Sequence, residues 1–215
     1  MTEYIISHEN GAQYPVRNIY CVGRNYAGHA RELGNPLLSE PVFFQKALTC
    51  LTTADSIKLP PDRIIQHEIE LVILISKPGE GISADNSMDY IGGVALGLDL
   101  TDRKLQNELK DGKLPWFLSK SFKNSAVVSS FHELDLINWS EKFWLKINGK
   151  VVQEGKMDDM EFDIPFLIEF LSSRIPLLAG DIMFTGTPKG VGIVHKGNVL
   201  ELGLGASVLK TIRIT

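Results

Sequence analysis

A strand-like run of five apolar residues places the strongest constraint on the fold of this chain. Leu71 to Ile75 is apolar at every position and directly follows His67-Glu68-Ile69-Glu70. An apolar residue at every position suits a strand that is buried on both faces of a sheet. Because side chains two residues apart in a strand point to the same face, Glu68 and Glu70 project together beside this run.

A third carboxylate, Asp99, ends a second apolar run that begins at Val94. Carboxylates beside buried runs are costly unless positive charge compensates them, and a divalent cation is the simplest compensation. Three oxygen ligands without a cysteine favour Mg²⁺ or Mn²⁺ over zinc. The alternative is that Glu68 and Glu70 lie on a solvated strand end while Asp99 caps a helix. The residues alone leave both interpretations open.

Short strands dominate the predicted secondary structure. Asn148-Gly149 predicts a hairpin between strands at 142–147 and 150–153. Thr101 is expected to cap a helix over 102–110, and Asp163 a helix with Pro165 in its first turn. Asn25 is expected to cap a short helix over 26–33. Further strands are predicted at 4–6, 18–22, 41–45, 68–75, 92–100, 181–184 and 208–214. This pattern predicts a mainly β or α+β domain rather than regular βαβ alternation.

Composition excludes several classes of protein. The 215 residues, 44% hydrophobic and 22% charged, are typical of a globular chain, and no linker divides them. Length alone allows one large domain or two small ones, and without a linker we expect residues 1–215 to form a single domain. A net charge of -4 gives no reason to expect a nucleic-acid partner, and no apolar stretch has the length of a membrane span. Cys21 and Cys50 match no zinc or redox spacing, which favours a reducing, cytoplasmic location.

His29 and Glu32 are the first candidates for catalysis. Three residues apart in a helix, they share a face, and a histidine oriented by a carboxylate is a standard general base. The alternative is an ordinary ion pair on a solvated helix.

Arg103, Gln106 and Lys120 are candidates to act beside the three carboxylates. Arg103 and Gln106 are three apart on the helix that follows Asp99, and a guanidinium recognises carboxylates well. Lys120 follows an apolar run and is therefore expected to be partly buried near negative charge. The alternatives are an exposed helix surface for the first two residues and a lysine that extends to solvent.

The glycine-rich turn at 184–192 matches neither a P-loop nor a dinucleotide-binding fingerprint. Its glycines allow backbone N–H groups and Thr187 to approach a small anionic ligand.

Six motifs together resemble the fumarylacetoacetate hydrolase family. They lie at 21–29, 67–70, 88–93, 97–101, 114–120 and 185–192, and the resemblance runs from about residue 18 to the C-terminus. It is strongest to the short, single-domain acylpyruvase and fumarylpyruvate hydrolase branch. One departure is Gly28, where relatives often carry a polar residue before the histidine.

This resemblance implies an α+β, mainly β fold of the mixed β-sandwich or β-roll type, and a homodimer. It implies Mg²⁺ or Mn²⁺ on Glu68, Glu70 and Asp99. It also implies a dyad of His29 and Glu32 on a segment that orders over bound substrate. The further residues that it implies are catalytic Lys120 and the substrate contacts Arg24, Arg103, Gln106 and Thr187.

The activity implied by the resemblance is metal-dependent C–C hydrolysis of acylpyruvates to pyruvate and a carboxylic acid. The alternative is an oxaloacetate decarboxylase or tautomerase, or a 2-hydroxydienoate isomerase, working through the same metal-held enolate. In each case the partner is a small 2-oxo acid.

Overall fold

The computed structural model describes residues 4–28, 39–136, 138 and 140–215. Most of the predicted helix at 26–33 lies outside these residues. The strands are β1 (Ile5–Ser7), β2 (Gln13–Pro15), β3 (Ile19–Gly23), β4 (Val42–Lys46), β5 (Leu51–Thr52), β6 (Ser56–Ile57), β7 (Ile65–His67), β8 (Ile69–Ile75), β9 (Ile91–Asp99), β10 (Thr101–Asp102), β11 (Ala126–Val128), β12 (Phe143–Ile147), β13 (Lys150–Gly155), β14 (Ile182–Phe184), β15 (Gly192–Ile193), β16 (Val199–Leu204) and β17 (Ser207–Ile214). The helices are α1 (Arg103–Asp111), α2 (Phe117–Lys120) and α3 (Ile164–Ser172), with short 3-10 helices at Leu48–Cys50, Ala84–Tyr90, Leu134–Leu136 and Met157–Asp159.

Two larger sheets carry the fold. A seven-stranded sheet has the order β4-β3-β14-β8-β9-β11-β5, and a five-stranded sheet has the order β13-β12-β16-β17-β6. Both are mixed, because β3 pairs parallel with β14 and β6 pairs parallel with β17 while most other pairs are antiparallel. The architecture is α+β and mainly β, as the sequence predicts.

Strand β8 is buried on both faces, which confirms the interpretation of its apolar run. All seven of its residues are buried. Leu71 and Ile73 join a core cluster that includes residues of the five-stranded sheet, such as Leu202. Val72 and Leu74 point to the opposite face and join a second cluster. The large sheet therefore lies between two apolar layers, and a charged side chain on either face of it needs a partner.

The predicted hairpin and two predicted helices are present, with one change of cap. Asn148-Gly149 connects β12 to β13, and Asp163 caps α3 by accepting from the Phe166 backbone N–H at 2.9 Å. Helix α1 begins one residue later than expected, because the Asp102 carboxylate, rather than the Thr101 hydroxyl, accepts from the Leu105 N–H at 3.2 Å. Among the described residues, no helix is both long and apolar enough to cross a membrane.

Candidate active site

The three carboxylates lie together where β8 and β9 meet. Glu68 immediately precedes β8, Glu70 lies within it and Asp99 ends β9. The Asp99 N–H donates to the Glu68 carbonyl at 2.9 Å, so these two residues face each other across the antiparallel pair. All three side chains are buried, and one carboxylate oxygen of each lies within 4.8 Å of the others. The solvated strand end that was the alternative for Glu68 and Glu70 is therefore wrong.

Lysine and arginine side chains neutralise this acidic cluster. Lys120 Nζ lies 2.7 Å from Glu68 Oε2 and 2.6 Å from Asp99 Oδ2, and it also donates to the Thr101 hydroxyl at 2.7 Å. Arg103 forms an ion pair with the other oxygen of Glu68. The Lys120 side chain is only 3% exposed, so the alternative in which it extends to solvent is wrong.

Lys46, which the sequence analysis did not select, completes the charge balance. Its side chain is fully buried at the end of β4, where Nζ lies 2.5 Å from Asp99 Oδ1 and 3.1 Å from the Leu100 carbonyl. Lys46 ends a strand rich in apolar residues. A lysine that follows apolar residues was the pattern that indicated Lys120, and the same pattern indicates Lys46.

The pKa values of the cluster show how its charges act on each other. Burial by itself lowers the pKa of Lys120, but the Asp99 and Glu68 carboxylates outweigh it and raise that pKa above its usual range. Burial, followed by the charges of Asp99 and Glu68, raises the pKa of Glu70 well above its usual range. The Gly186 N–H is a donor to Glu70 Oε2 at 2.7 Å.

The donor set fits a divalent cation. Three buried carboxylates offer oxygen ligands alone, and among the described residues Lys46, Lys120 and Arg103 form their ion pairs with Glu68 and Asp99 rather than with Glu70. Oxygen-only donors suit hard ions such as Mg²⁺ and Mn²⁺. A divalent ion on the carboxylates would also free Lys120 and Arg103 to bind an anionic substrate.

The glycine-rich loop after β14 is fixed by buried amide side chains. Asn25 Nδ2 donates to the Thr185 carbonyl at 2.8 Å, and Asn25 Oδ1 accepts from the Phe162 N–H at 2.9 Å. The helix that Asn25 is expected to cap lies mostly outside the described residues, and within them Asn25 forms this long-range link. Gly186 adopts φ of +102°, and a Cβ there would lie 2.7 Å from Asn25 Cβ. Only glycine meets both requirements while presenting its N–H to Glu70.

Thr187 is held by a second residue that the sequence analysis missed, Gln153 of β13. The Thr187 hydroxyl donates to the Ile69 carbonyl at 2.8 Å and accepts from Gln153 Nε2 at 3.0 Å. Gln153 Oε1 accepts from the Ile69 N–H at 3.2 Å and lies 2.7 Å from His67 Nδ1. No local pattern marks Gln153, because its partners are distant in the sequence.

Arg103 and Gln106 face the cluster rather than solvent. Gln106 is the buried residue of α1, and it accepts a hydrogen bond from Arg103. Arg103 Nε also donates to Gln66 Oε1 at 2.6 Å. The exposed-surface alternative for these two residues is therefore wrong.

A pocket opens on the cluster and is also lined by Arg24, Lys110, Trp116 and Thr187. Lys110 was not selected from the sequence. Burial, followed by the positive charges of Arg103, Arg24 and Lys120, lowers the pKa of Lys110 to about 8.

His29 and Glu32 lie outside the described residues, so the dyad stays a prediction.

Comparisons with known proteins agree with this fold. Residues 18–213 match the family described as Fumarylacetoacetate (FAA) hydrolase C-terminal. Human "Oxaloacetate tautomerase FAHD1, mitochondrial" is 44% identical over 202 residues, which cover 92% of this chain and 91% of the relative. "Oxaloacetate decarboxylase, mitochondrial" from Dictyostelium discoideum is 41% identical over 193 residues, covering 87% and 88%.

Among solved structures, a fumarylacetoacetate hydrolase family protein from Yersinia pestis has a TM-score of 0.93 at 36% identity, covering 99% of this chain and 100% of that one. Fumarylpyruvate hydrolase from Pseudomonas aeruginosa in complex with Mn²⁺ and pyruvate has a TM-score of 0.92 at 29% identity, covering 100% and 97%.

Proposed function

This chain belongs to the fumarylacetoacetate hydrolase family, and from that premise we propose that it catalyses enol–keto tautomerisation of oxaloacetate. Decarboxylation of the same acid is proposed as a side activity of this site. The observation that carries the proposal is the buried cluster of Glu68, Glu70 and Asp99 beside Lys120 and Arg103. Relatives more than 40% identical over most of their length are named for these two oxaloacetate activities, which supports the alternative from the sequence analysis over acylpyruvate hydrolysis.

Glu68, Glu70 and Asp99 would hold the cation, Mg²⁺ or Mn²⁺. A bound divalent cation supplies a Lewis acid for the 2-oxo carboxylate end of the substrate. The relative from Pseudomonas aeruginosa was solved with Mn²⁺, which supports an ion of this class.

Lys120 acts as a hydrogen-bond donor in this proposal. Its Nζ lies within 2.7 Å of two carboxylate oxygens and of the Thr101 hydroxyl, and the two carboxylates raise its pKa above its usual range. A charged ammonium cannot accept a proton, but it stabilises the negative oxygen of an enolate by donating a hydrogen bond. Loss of one such donor typically lowers a rate by about 10² or more.

Arg103 and Gln106 orient the substrate. Their mutual hydrogen bond, together with the bond from Arg103 to Gln66, holds the guanidinium at the pocket wall. Thr187 contributes differently, because its hydroxyl proton is already donated to the Ile69 carbonyl. We therefore propose that Thr187 faces substrate through its backbone N–H.

Acylpyruvate hydrolysis is the second candidate function. It is supported by the similarity to fumarylpyruvate hydrolase, a structure solved with pyruvate. In this reaction His29, oriented by Glu32, would deprotonate the attacking water. Tautomerisation and decarboxylation need no attacking water, so the two candidates place different demands on His29.

A substrate panel distinguishes the candidates. With Mn²⁺ present, kcat/KM is measured for oxaloacetate tautomerisation, oxaloacetate decarboxylation, and hydrolysis of acetylpyruvate and fumarylpyruvate. The proposal predicts the highest value for an oxaloacetate reaction. A higher value for either acylpyruvate would favour the second candidate.

We also propose that residues 1–215 form one catalytic domain that acts as a homodimer on a small 2-oxo acid. Analytical ultracentrifugation is expected to give twice the mass of one chain, and a monomer at micromolar concentration would contradict the dimer. The cytoplasmic location stays a prediction, since the human and Dictyostelium relatives are named as mitochondrial. Cell fractionation tests it.

A further inference from the structure

Two cationic side chains of the pocket are not used by the carboxylate cluster. Arg24 and Lys110 line the same pocket as Glu68 and Asp99. Within the part of the chain that the structure describes, neither forms an ion pair with an acidic side chain, whereas the other cations of the site all do.

Arg24 is held in an unfavourable backbone conformation with a buried, unpartnered donor. Its φ is +63°, in the left-handed region that residues with a Cβ rarely adopt. Among the described residues, its Nε is one of two buried side-chain nitrogen or oxygen atoms without a hydrogen-bond partner. Strain and an unsatisfied donor at one residue point to a ligand that the residue is positioned to bind.

Trp116 brings the two cations to one place. The Arg24 guanidinium carbon lies 6.0 Å from the centre of the Trp116 ring, and Lys110 Nζ lies 5.1 Å from it. The Trp116 and Phe44 rings form a T-shaped pair with centroids 6.0 Å apart, and Phe44 also lines the pocket. An indole ring that holds two cations by cation–π contact keeps them oriented without neutralising their charge.

The charge balance of the pocket favours a dianion. The three carboxylates are balanced by Lys46, Arg103 and Lys120. Among the described residues that line the pocket, Arg24 and Lys110 therefore add two positive charges in excess. The lowered pKa of Lys110 has crowding by other cations among its causes, and a bound anion would relieve that crowding.

Building on the proposed function, we infer that Arg24 and Lys110, beside Trp116, bind the second carboxylate of a 2-oxo dicarboxylic acid. The 2-oxo carboxylate end of such an acid lies at the cluster of Glu68, Glu70 and Asp99. This subsite selects oxaloacetate over 2-oxo acids with an uncharged tail. In this scheme Lys110 determines specificity for the charge of the substrate's tail. The three carboxylates do not, because they lie at the 2-oxo carboxylate end.

Binding of two inert acids tests the subsite without depending on turnover. L-Malate and L-lactate both carry a 2-hydroxy carboxylate, but only malate has a second carboxylate. Calorimetry at saturating Mn²⁺ is expected to give a Kd for malate at least tenfold lower than that for lactate. Tenfold corresponds to about 1.4 kcal/mol.

Substitutions on α1 identify the residue responsible. Lys110→Met is expected to bring the two Kd values within about twofold of each other by weakening malate binding alone. Lys110→Arg should retain most of the preference, because it keeps the charge. Lys104→Met, which removes an exposed lysine from the same helix, should leave both values unchanged.

The outcomes separate this inference from the proposed function. Equal Kd values in the wild type, no binding of either acid, or a malate preference that persists in Lys110→Met would overturn the subsite. Oxaloacetate turnover is measured on the same preparation. A strong malate preference without turnover would refute the proposed function and leave the subsite standing.

Discussion

Replacing Lys46 by methionine is expected to destabilise the metal-free protein strongly. Methionine retains the length of the side chain but removes the charge that lies 2.5 Å from Asp99, in a pair whose side chains are 0% and 1% exposed. Removing one partner of a buried ion pair typically costs about 3–5 kcal/mol. Asp99 keeps Lys120 as a partner, so we expect a loss near the lower end, about 3 kcal/mol.

Urea denaturation after chelation measures this loss, and a surface pair gives the matched control. Lys142 and Glu154 lie 2.6 Å apart with side chains 50% and 53% exposed. Lys142→Met should therefore cost no more than about 1 kcal/mol. Adding Asp99→Asn to Lys46→Met should recover part of the loss, because it removes the buried charge that has lost one of its two cationic partners. The reasoning would be refuted if the two lysine variants were equally stable.

Three further predictions concern the loop after β14, the pocket and the dyad. Gly186→Ala is expected to weaken Mn²⁺ binding at least tenfold in calorimetry, because a Cβ there displaces the N–H that binds Glu70. Gly149→Ala, with similar positive φ but no atom within 4 Å of a Cβ, should not weaken it, and equal affinities in both variants would contradict this. For oxaloacetate, kcat/KM should fall as pH rises above about 8, where Lys110 loses its proton, and Lys110→Arg should abolish that fall. His29→Ala should lower acylpyruvate hydrolysis by about 10² or more and oxaloacetate decarboxylation much less. An equal loss in both reactions would show that His29 is not the base that activates water.

Local sequence patterns predicted the strands and the three carboxylates. The all-apolar run of β8 determines that both of its faces are buried, and the period of two places Glu68 and Glu70 on one face. The apolar run of β9 likewise predicts a buried strand, and Asp99 lies at its end. These patterns depend only on neighbouring residues, so they can be read directly from the sequence.

Contacts between distant segments could not be predicted in the same way. Lys46 and Asp99 are 53 residues apart, and Gln153 and His67 are 86 apart, so their contacts depend on strand order. Lys120 was expected near negative charge, but only the tertiary structure excludes its extension to solvent. The cap of α1 was misplaced by one residue because Thr101 and Asp102 are both good caps.

The most direct test of the central claim is the rate at which the oxaloacetate enol disappears as Mn²⁺ is returned to the chelated protein. The rate should rise from that of buffer alone and saturate at one Mn²⁺ per chain. Glu70→Gln should remain near the buffer rate at the same Mn²⁺ concentration. Glu154→Gln, which changes an exposed carboxylate, should match the wild type. A wild-type rate that does not depend on Mn²⁺, or full activity in Glu70→Gln, would contradict the account.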